Sequence, residues 1–221
     1  MTQFSTRRLF LLAGAAAFAT PAFAQQARRN APVAALNAAD QALVNKAVAY
    51  LQGLERAKGR FTQTDPRGKT AAGELYLQRP GKARFVYDKP NDLLMVSDGN
   101  QVAVVNPRLK TYDAYALRVT PLALFLGKEI RLDRGVQVTR VERIAGGFSI
   151  TASDKNREAQ GQITLVFSES PMVLREWTVT DAQRGRTRIV INSLTEVASL
   201  DRSLFVLPKD PRPRGVGSRP G

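Results

Sequence analysis

The sequence predicts a mainly β chain with helices, built as one large antiparallel sheet or barrel. Three observations carry that reading. Apolar residues recur at helical spacing only between Asn37 and Leu54. From Gly59 onward the apolar period is two, in about ten or eleven short segments parted by turn signals at hairpin spacing. A single stretch, residues 120–127, breaks that alternation with apolar side chains on every side.

Taken in order, Arg7-Arg8 precede an apolar run from Leu9 to Ala19, and Ala22-Phe23-Ala24 is a small-x-small cleavage site. Residues 1–24 therefore read as a cleaved secretory signal, too short and alanine-rich for a membrane span. Thr6-Arg7-Arg8-Leu9-Phe10-Leu11 also fits a twin-arginine export motif, so the twin-arginine and general secretory routes both stand. No cysteine follows the cleavage site to carry a lipid anchor, and a periplasmic location is expected. Residues 25–35, without periodicity, read as a flexible lead-in.

Asn37 opens a helix with Asp40 as a capping-box-like partner. Leu43, Ala47, Leu51 and Leu54 form its apolar stripe, with Val44 and Val48 beside it. Strand-like alternation follows. Leu75 and Leu77 alternate with Glu74, Tyr76 and Gln78; Ala83, Phe85 and Tyr87 alternate with Lys82 and Arg84. Leu93–Ser97 and Val102–Asn106 flank Asp98-Gly99-Asn100, a hairpin signal. Later segments centre on Val136/Val138, Phe148/Ile150/Ala152, Ile163/Leu165/Phe167, Arg175/Trp177/Val179 and Ile189/Ile191. Thr120-Pro121 through Gly127 reads as a short helix with a threonine cap, proline at the first helical position and a terminating glycine. A helix apolar all round must be covered on several faces or must itself cover something apolar. Residues 208–221, rich in proline, glycine and arginine, read as a disordered basic tail, leaving 36–207 as the single domain.

Composition narrows the chemistry. The 221 residues carry a net charge of +14, no cysteine and no histidine. Loss of the signal removes two arginines and leaves +12. Thiol nucleophiles, disulfides, thiolate zinc sites, serine–histidine triads and imidazole-held metals are excluded. A histidine-free chain points to binding rather than catalysis, with no catalytic residue, metal or cofactor expected. Most acids sit in turns: Asp65 before Pro66, Asp88 before Lys89-Pro90, Asp98 before Gly99, Asp181 before Gly185. The 24 arginines are spread along the strands and aromatics make up only 7%, which argues against nucleic-acid binding.

Arg79 stands apart. It shares strand parity with Leu75 and Leu77, so it either sits at the rim of the apolar face, with donors seeking backbone carbonyls, or follows a frayed strand end into water.

Together these stretches resemble the LolA-type periplasmic carriers of outer-membrane lipoproteins. The resemblance rests on Gly59-Arg60-Phe61-Thr62-Gln63, Gly73-Glu74-Leu75-Tyr76-Leu77-Gln78-Arg79-Pro80 and Phe85-Val86-Tyr87. Val96-Ser97-Asp98-Gly99 through Asn106-Pro107, the Thr120-Pro121 segment and Phe205-Val206-Leu207-Pro208 complete it, over residues 36 to 208. It implies an incomplete antiparallel β-barrel with an apolar cavity under a helical lid, holding the acyl chains of a lipoprotein. The implied partners are acylated lipoproteins, an inner-membrane lipoprotein-releasing ABC transporter and an outer-membrane receptor; a monomer is expected. Arg79 matches the family arginine that bonds lid carbonyls and holds the empty cavity shut. Leu43, Leu51, Leu75, Leu77, Phe85, Leu93, Met95, Leu122, Leu124 and Phe125 are the candidates for cavity or lid lining. The chain departs from the family pattern at Ala83, where a bulky aromatic is usual, and at Val102, Val104 and Val105. The alternatives are a carrier of another amphiphile such as a glycolipid, a sensor of mislocalised lipoprotein, and a carboxylate-dependent secreted hydrolase.

Overall fold

A computed structural model describes residues 36–127, 136–154 and 161–210. The signal, the lead-in and the tail from 211 lie outside the described residues. Helix α1, Ala38–Gly53, starts where Asn37 accepts the Asp40 backbone N–H at 2.8 Å, while the Asn37 amide donates to the Asp40 carboxylate at 2.9 Å. This reciprocal pair satisfies an otherwise orphaned helix-end donor.

Eleven antiparallel strands follow: β1 Arg56–Thr64, β2 Thr70–Gln78, β3 Lys82–Tyr87, β4 Leu94–Asp98, β5 Gln101–Asn106 and β6 Thr111–Ala116. After them come β7 Val136–Ile144, β8 Gly147–Asp154, β9 Gln162–Glu169, β10 Met172–Thr180 and β11 Arg186–Glu196. The spatial order is β6-β5-β4-β3-β2-β1-β11-β10-β9-β8-β7. Two meanders thus meet where the first strand pairs with the last, and the sheet stays open between β6 and β7. The link between those edge strands contains the short helix α2, Ala123–Leu126, preceded by a 3-10 turn at Leu117–Val119.

The inward row can be followed strand by strand through the register. Ala57, Leu77, Ala83, Ser97 and Val102 face one another in sequence, as do Gly59, Leu75, Phe85, Met95 and Val104. Phe61 pairs with Gly73, where an added Cβ would lie 2.8 Å from the Phe61 ring. The missing side chain is what lets that ring sit edge-on to Phe85 at 5.2 Å and Tyr87 at 5.1 Å. Each such pair contributes about 0.5–1.5 kcal/mol beyond area burial.

Three details differ from the expectation. Strand β6 was not legible, because its residues are mostly exposed and carry no alternation. A bulge at Arg175 breaks the Arg175/Trp177/Val179 parity: Leu174 and Trp177 are both fully buried, while Arg175 points out. Thr120 does not cap α2 from its side chain. Its Oγ1 donates back to the Leu117 carbonyl at 2.8 Å, and Leu122 is the N-cap.

Candidate functional site

The apolar face of the sheet is covered by helix side chains. Leu43, Val44, Ala47 and Leu51 of α1 are buried against it, as are Phe125 and Leu126 of α2. Tyr50 meets Phe167 edge-on at 6.0 Å. Phe125 lies tilted on Trp177, ring centroids 5.4 Å apart, and Phe85 meets the same indole at 6.0 Å.

The lining candidates fall into two groups. Leu43, Leu51, Leu75, Leu77, Phe85 and Phe125 are buried in one apolar cluster. Leu93, Met95, Leu122 and Leu124 are only partly buried and pack against its border. Trp177, on which the Phe125 ring rests, is absent from the lining candidates although the alternation includes it.

Arg79 follows the last residue of β2, and its backbone N–H donates to the Glu55 carbonyl at 2.8 Å, so the strand end is not frayed. Its guanidinium joins two helix ends. Nη1 donates to the Leu51 carbonyl in the last turn of α1. Nη2 donates at 2.9 Å to the carbonyl of Gly127, the C-cap of α2. Leu51 O is available because Glu55 N–H turns to Gly53 O at 2.9 Å instead of continuing the helix. A cation at a helix C-terminus meets the orphaned carbonyls and the negative end of the dipole together. One planar fork with five donors can serve both ends at once.

Burial lowers the Arg79 pKa to about 10, which still leaves the group charged near neutrality. Its Nε is buried without a hydrogen-bond partner, and among the described residues no carboxylate pairs with it. The acceptors of the guanidinium are the backbone oxygens of Leu51 and Gly127.

Backbone bonds reinforce this contact. Gly81 N–H donates to Leu126 O at 2.6 Å, and Leu117 N–H donates to Asn100 O at 2.7 Å. Residues 117–126 are tied at one end to the β4–β5 turn and at the other to the β2–β3 turn.

The carboxylates serve structure. Asp98 accepts the N–H groups of Asn100 and Gln101, Asp181 that of Gly185, and Asp201 that of Ser203. Asp88 pairs with Arg60, Glu142 with Arg140, and Glu176 with Arg188. Among the described residues, no group of three or more acids gathers as a metal site, and no helix is long and apolar enough to cross a membrane.

Residues 52–208 match the family model described as outer membrane lipoprotein carrier protein LolA. The chain is 29% identical over 176 residues to the outer-membrane lipoprotein carrier protein of Chromobacterium violaceum, covering 76% of this chain and 82% of that one. To the protein of the same description from Pseudomonas fluorescens it is 28% identical over 184 residues, covering 77% and 87%. Among solved structures, a LolA superfamily protein from Nitrosomonas europaea covers 78% of this chain and 99% of its own at 10% identity, with a TM-score of 0.44.

Proposed function

The chain belongs to the LolA family of outer membrane lipoprotein carrier proteins, and on that premise we propose that it works as a periplasmic, monomeric, non-enzymatic shuttle. It takes acylated lipoproteins released by an inner-membrane ABC transporter, shields their acyl chains under the lid, and hands them to an outer-membrane receptor. The observation that carries this reading is the Arg79 fork, which bonds the carbonyls of Leu51 in the last turn of α1 and of Gly127 at the end of α2.

The physics favours a shield that is closed when empty. Each buried methylene is worth about 0.8 kcal/mol, so several acyl chains exposed in water cost tens of kcal/mol. A permanently open apolar cavity would hold cargo too tightly to release it, and would attract any amphiphile. Here Phe125 and Leu126 of the lid occupy the interior in place of cargo. Entry of acyl chains replaces those contacts, and re-closure of the lid helps to expel them.

Displacement of a fluorescent apolar probe tests the proposal. An acylated lipopeptide should displace the probe and its deacylated form should not. Equal displacement by glycolipid alone would point to another amphiphile, and lack of displacement by either lipopeptide would sink the carrier reading. Mass spectrometry of what copurifies with the protein from periplasm names the cargo.

A further inference from the structure

The closed interior contains one polar group that its packing leaves unsatisfied. Trp177 is fully buried, and its indole Nε1–H has no hydrogen-bond partner. Among the described residues, the Arg79 Nε is the other such side-chain atom. Other buried donors of the interior are provided for: Ser97 Oγ donates to Gly81 O at 2.6 Å, and the Tyr87 hydroxyl donates to Gln63 Oε1 at 2.6 Å.

The register and ring neighbours of Trp177 are apolar. In register, Leu165 of β9 and Ile189 of β11 stand beside it. The rings of Phe85 and Phe125 pack on it. A buried donor without an acceptor is a standing cost to the closed state, and a phenylalanine would fill much of that space without it. The indole is thus poorly explained by packing alone. Phe125 sits on α2, so when α2 lifts as the proposed lid one of the two rings on the indole leaves with it, while Phe85 of β3 stays.

We infer that Trp177 Nε1 is a cargo-binding group that donates a hydrogen bond to an ester carbonyl at the head of an acyl chain. The inference rests on the carrier reading and adds a polar anchor to an otherwise apolar site. The chemistry is complementary in kind: an indole N–H only donates, and an ester carbonyl only accepts. In an apolar environment such a bond has no competing water, so one donor can fix how deep the acyl chains enter. Free hydrocarbon lacks the acceptor and gains nothing from it. The latent donor therefore sorts acyl esters from other oily ligands while leaving the empty protein closed.

Because Trp177 is the chain's only tryptophan, a single indole N–H signal appears in a proton–nitrogen correlation spectrum of the labelled protein. A diacyl lipopeptide with ester linkages should move that proton downfield, and its dialkyl-ether counterpart should not, although both displace an apolar probe. A diacyl phospholipid identifies the source: a like shift means that any acyl ester is read, and a shift from the lipopeptide alone means that the peptide places the ester. Trp177→Phe should weaken the ester lipopeptide by about threefold to tenfold and leave the ether analogue unchanged. Equal indole shifts with ester and ether ligands, or equal losses of affinity for both in Trp177→Phe, would overturn the anchor while leaving the carrier reading intact. Failure of every lipopeptide to displace the probe would remove both. The wild-type spectrum decides the matter even if the variant folds poorly.

Discussion

The backbone N–H of Gly81, in the β2–β3 turn, donates to the carbonyl of Leu126, the last residue of the lid helix, at 2.6 Å. The other side of the same residue is also held, since Ser97 Oγ donates to Gly81 O at 2.6 Å. Arg79, two positions earlier, reaches the neighbouring carbonyl of Gly127. The end of α2 is thus fastened through backbone oxygens, by a side-chain fork and by a main-chain donor held in place by a buried serine.

Removing the fork should shift the lid toward its open form. Each hydrogen bond from a charged donor contributes about 1.5–3 kcal/mol. Two are lost in Arg79→Leu, offset in part because the variant no longer buries a charge. A net change of about 1–3 kcal/mol alters the open population by roughly 5- to 150-fold. The variant should bind apolar probe faster and retain lipoprotein instead of delivering it, because closure no longer competes with cargo. Transfer to the receptor at the wild-type rate would show that Arg79 is no latch.

The glycine between latch and strand is also under constraint. Gly81 has φ +78°, and a Cβ there would lie 2.6 Å from the Gly99 Cα in the adjoining turn. Left-handed backbone costs an alanine about 1–2 kcal/mol before the backbone contact is counted. Gly81→Ala should therefore lower stability by about 2–4 kcal/mol and the melting temperature by roughly 4–16 °C. Ser97→Ala keeps the turn but leaves the Gly81 carbonyl unpaired, at about 1 kcal/mol. Thermal melts of both variants check the ranking, and a larger loss in Ser97→Ala would contradict it.

Much of this fold could be read from local sequence, and the reasons are physical. The inward residues of β2 and β3 alternate with solvent-facing ones, so a period of two survives in Leu75/Leu77 and Ala83/Phe85/Tyr87. Asn37 and Asp40 lie within one helical turn, so their capping pair needs no tertiary knowledge. The edge strand β6 packs too little to imprint a pattern. The bulge at Arg175 shifts parity by one residue, so Leu174 and Trp177, rather than Arg175 and Trp177, share the buried face. For Arg79, parity left the rim of the apolar face and a frayed end in water both open, and carried nothing about the partners. Leu51 and Gly127 are 28 and 48 residues away in sequence, and both contribute main-chain oxygens whose availability depends on where the helices end.

The latch should not respond to pH near neutrality. Burial holds the Arg79 pKa at about 10, below the usual arginine value. The sign follows: the folded state favours the neutral form more than the unfolded state does. The desolvation penalty is therefore constant below about pH 10 and is relieved only as pH rises through about 10 toward the usual arginine value. The chain has no histidine to titrate in the physiological window. Apolar-probe uptake measured from about pH 6 to about pH 9 should be flat, and a step within that range would require another titrating group in the lid.

The last prediction separates a lid from a solid core. Phe125 on α2 and Phe148 on β8 are both buried, and each packs against another aromatic ring at 5.4 Å. In a solid core, truncation of either to alanine would cost about 3–5 kcal/mol of global stability. Phe148 belongs to the sheet, flanked in register by Arg143 on β7 and Phe167 on β9, so Phe148→Ala should show that loss in denaturant unfolding. Phe125 sits on a four-residue helix whose end is fastened by the Arg79 fork and the Gly81 bond. Its truncation should favour lid opening more than unfolding of the sheet. Phe125→Ala should lose much less in denaturant, while Trp177, the only tryptophan, becomes more accessible to a soluble fluorescence quencher. If both variants lose the same stability and Trp177 stays shielded, the helix is part of a fixed core, and there is no movable cover for an acyl chain to displace.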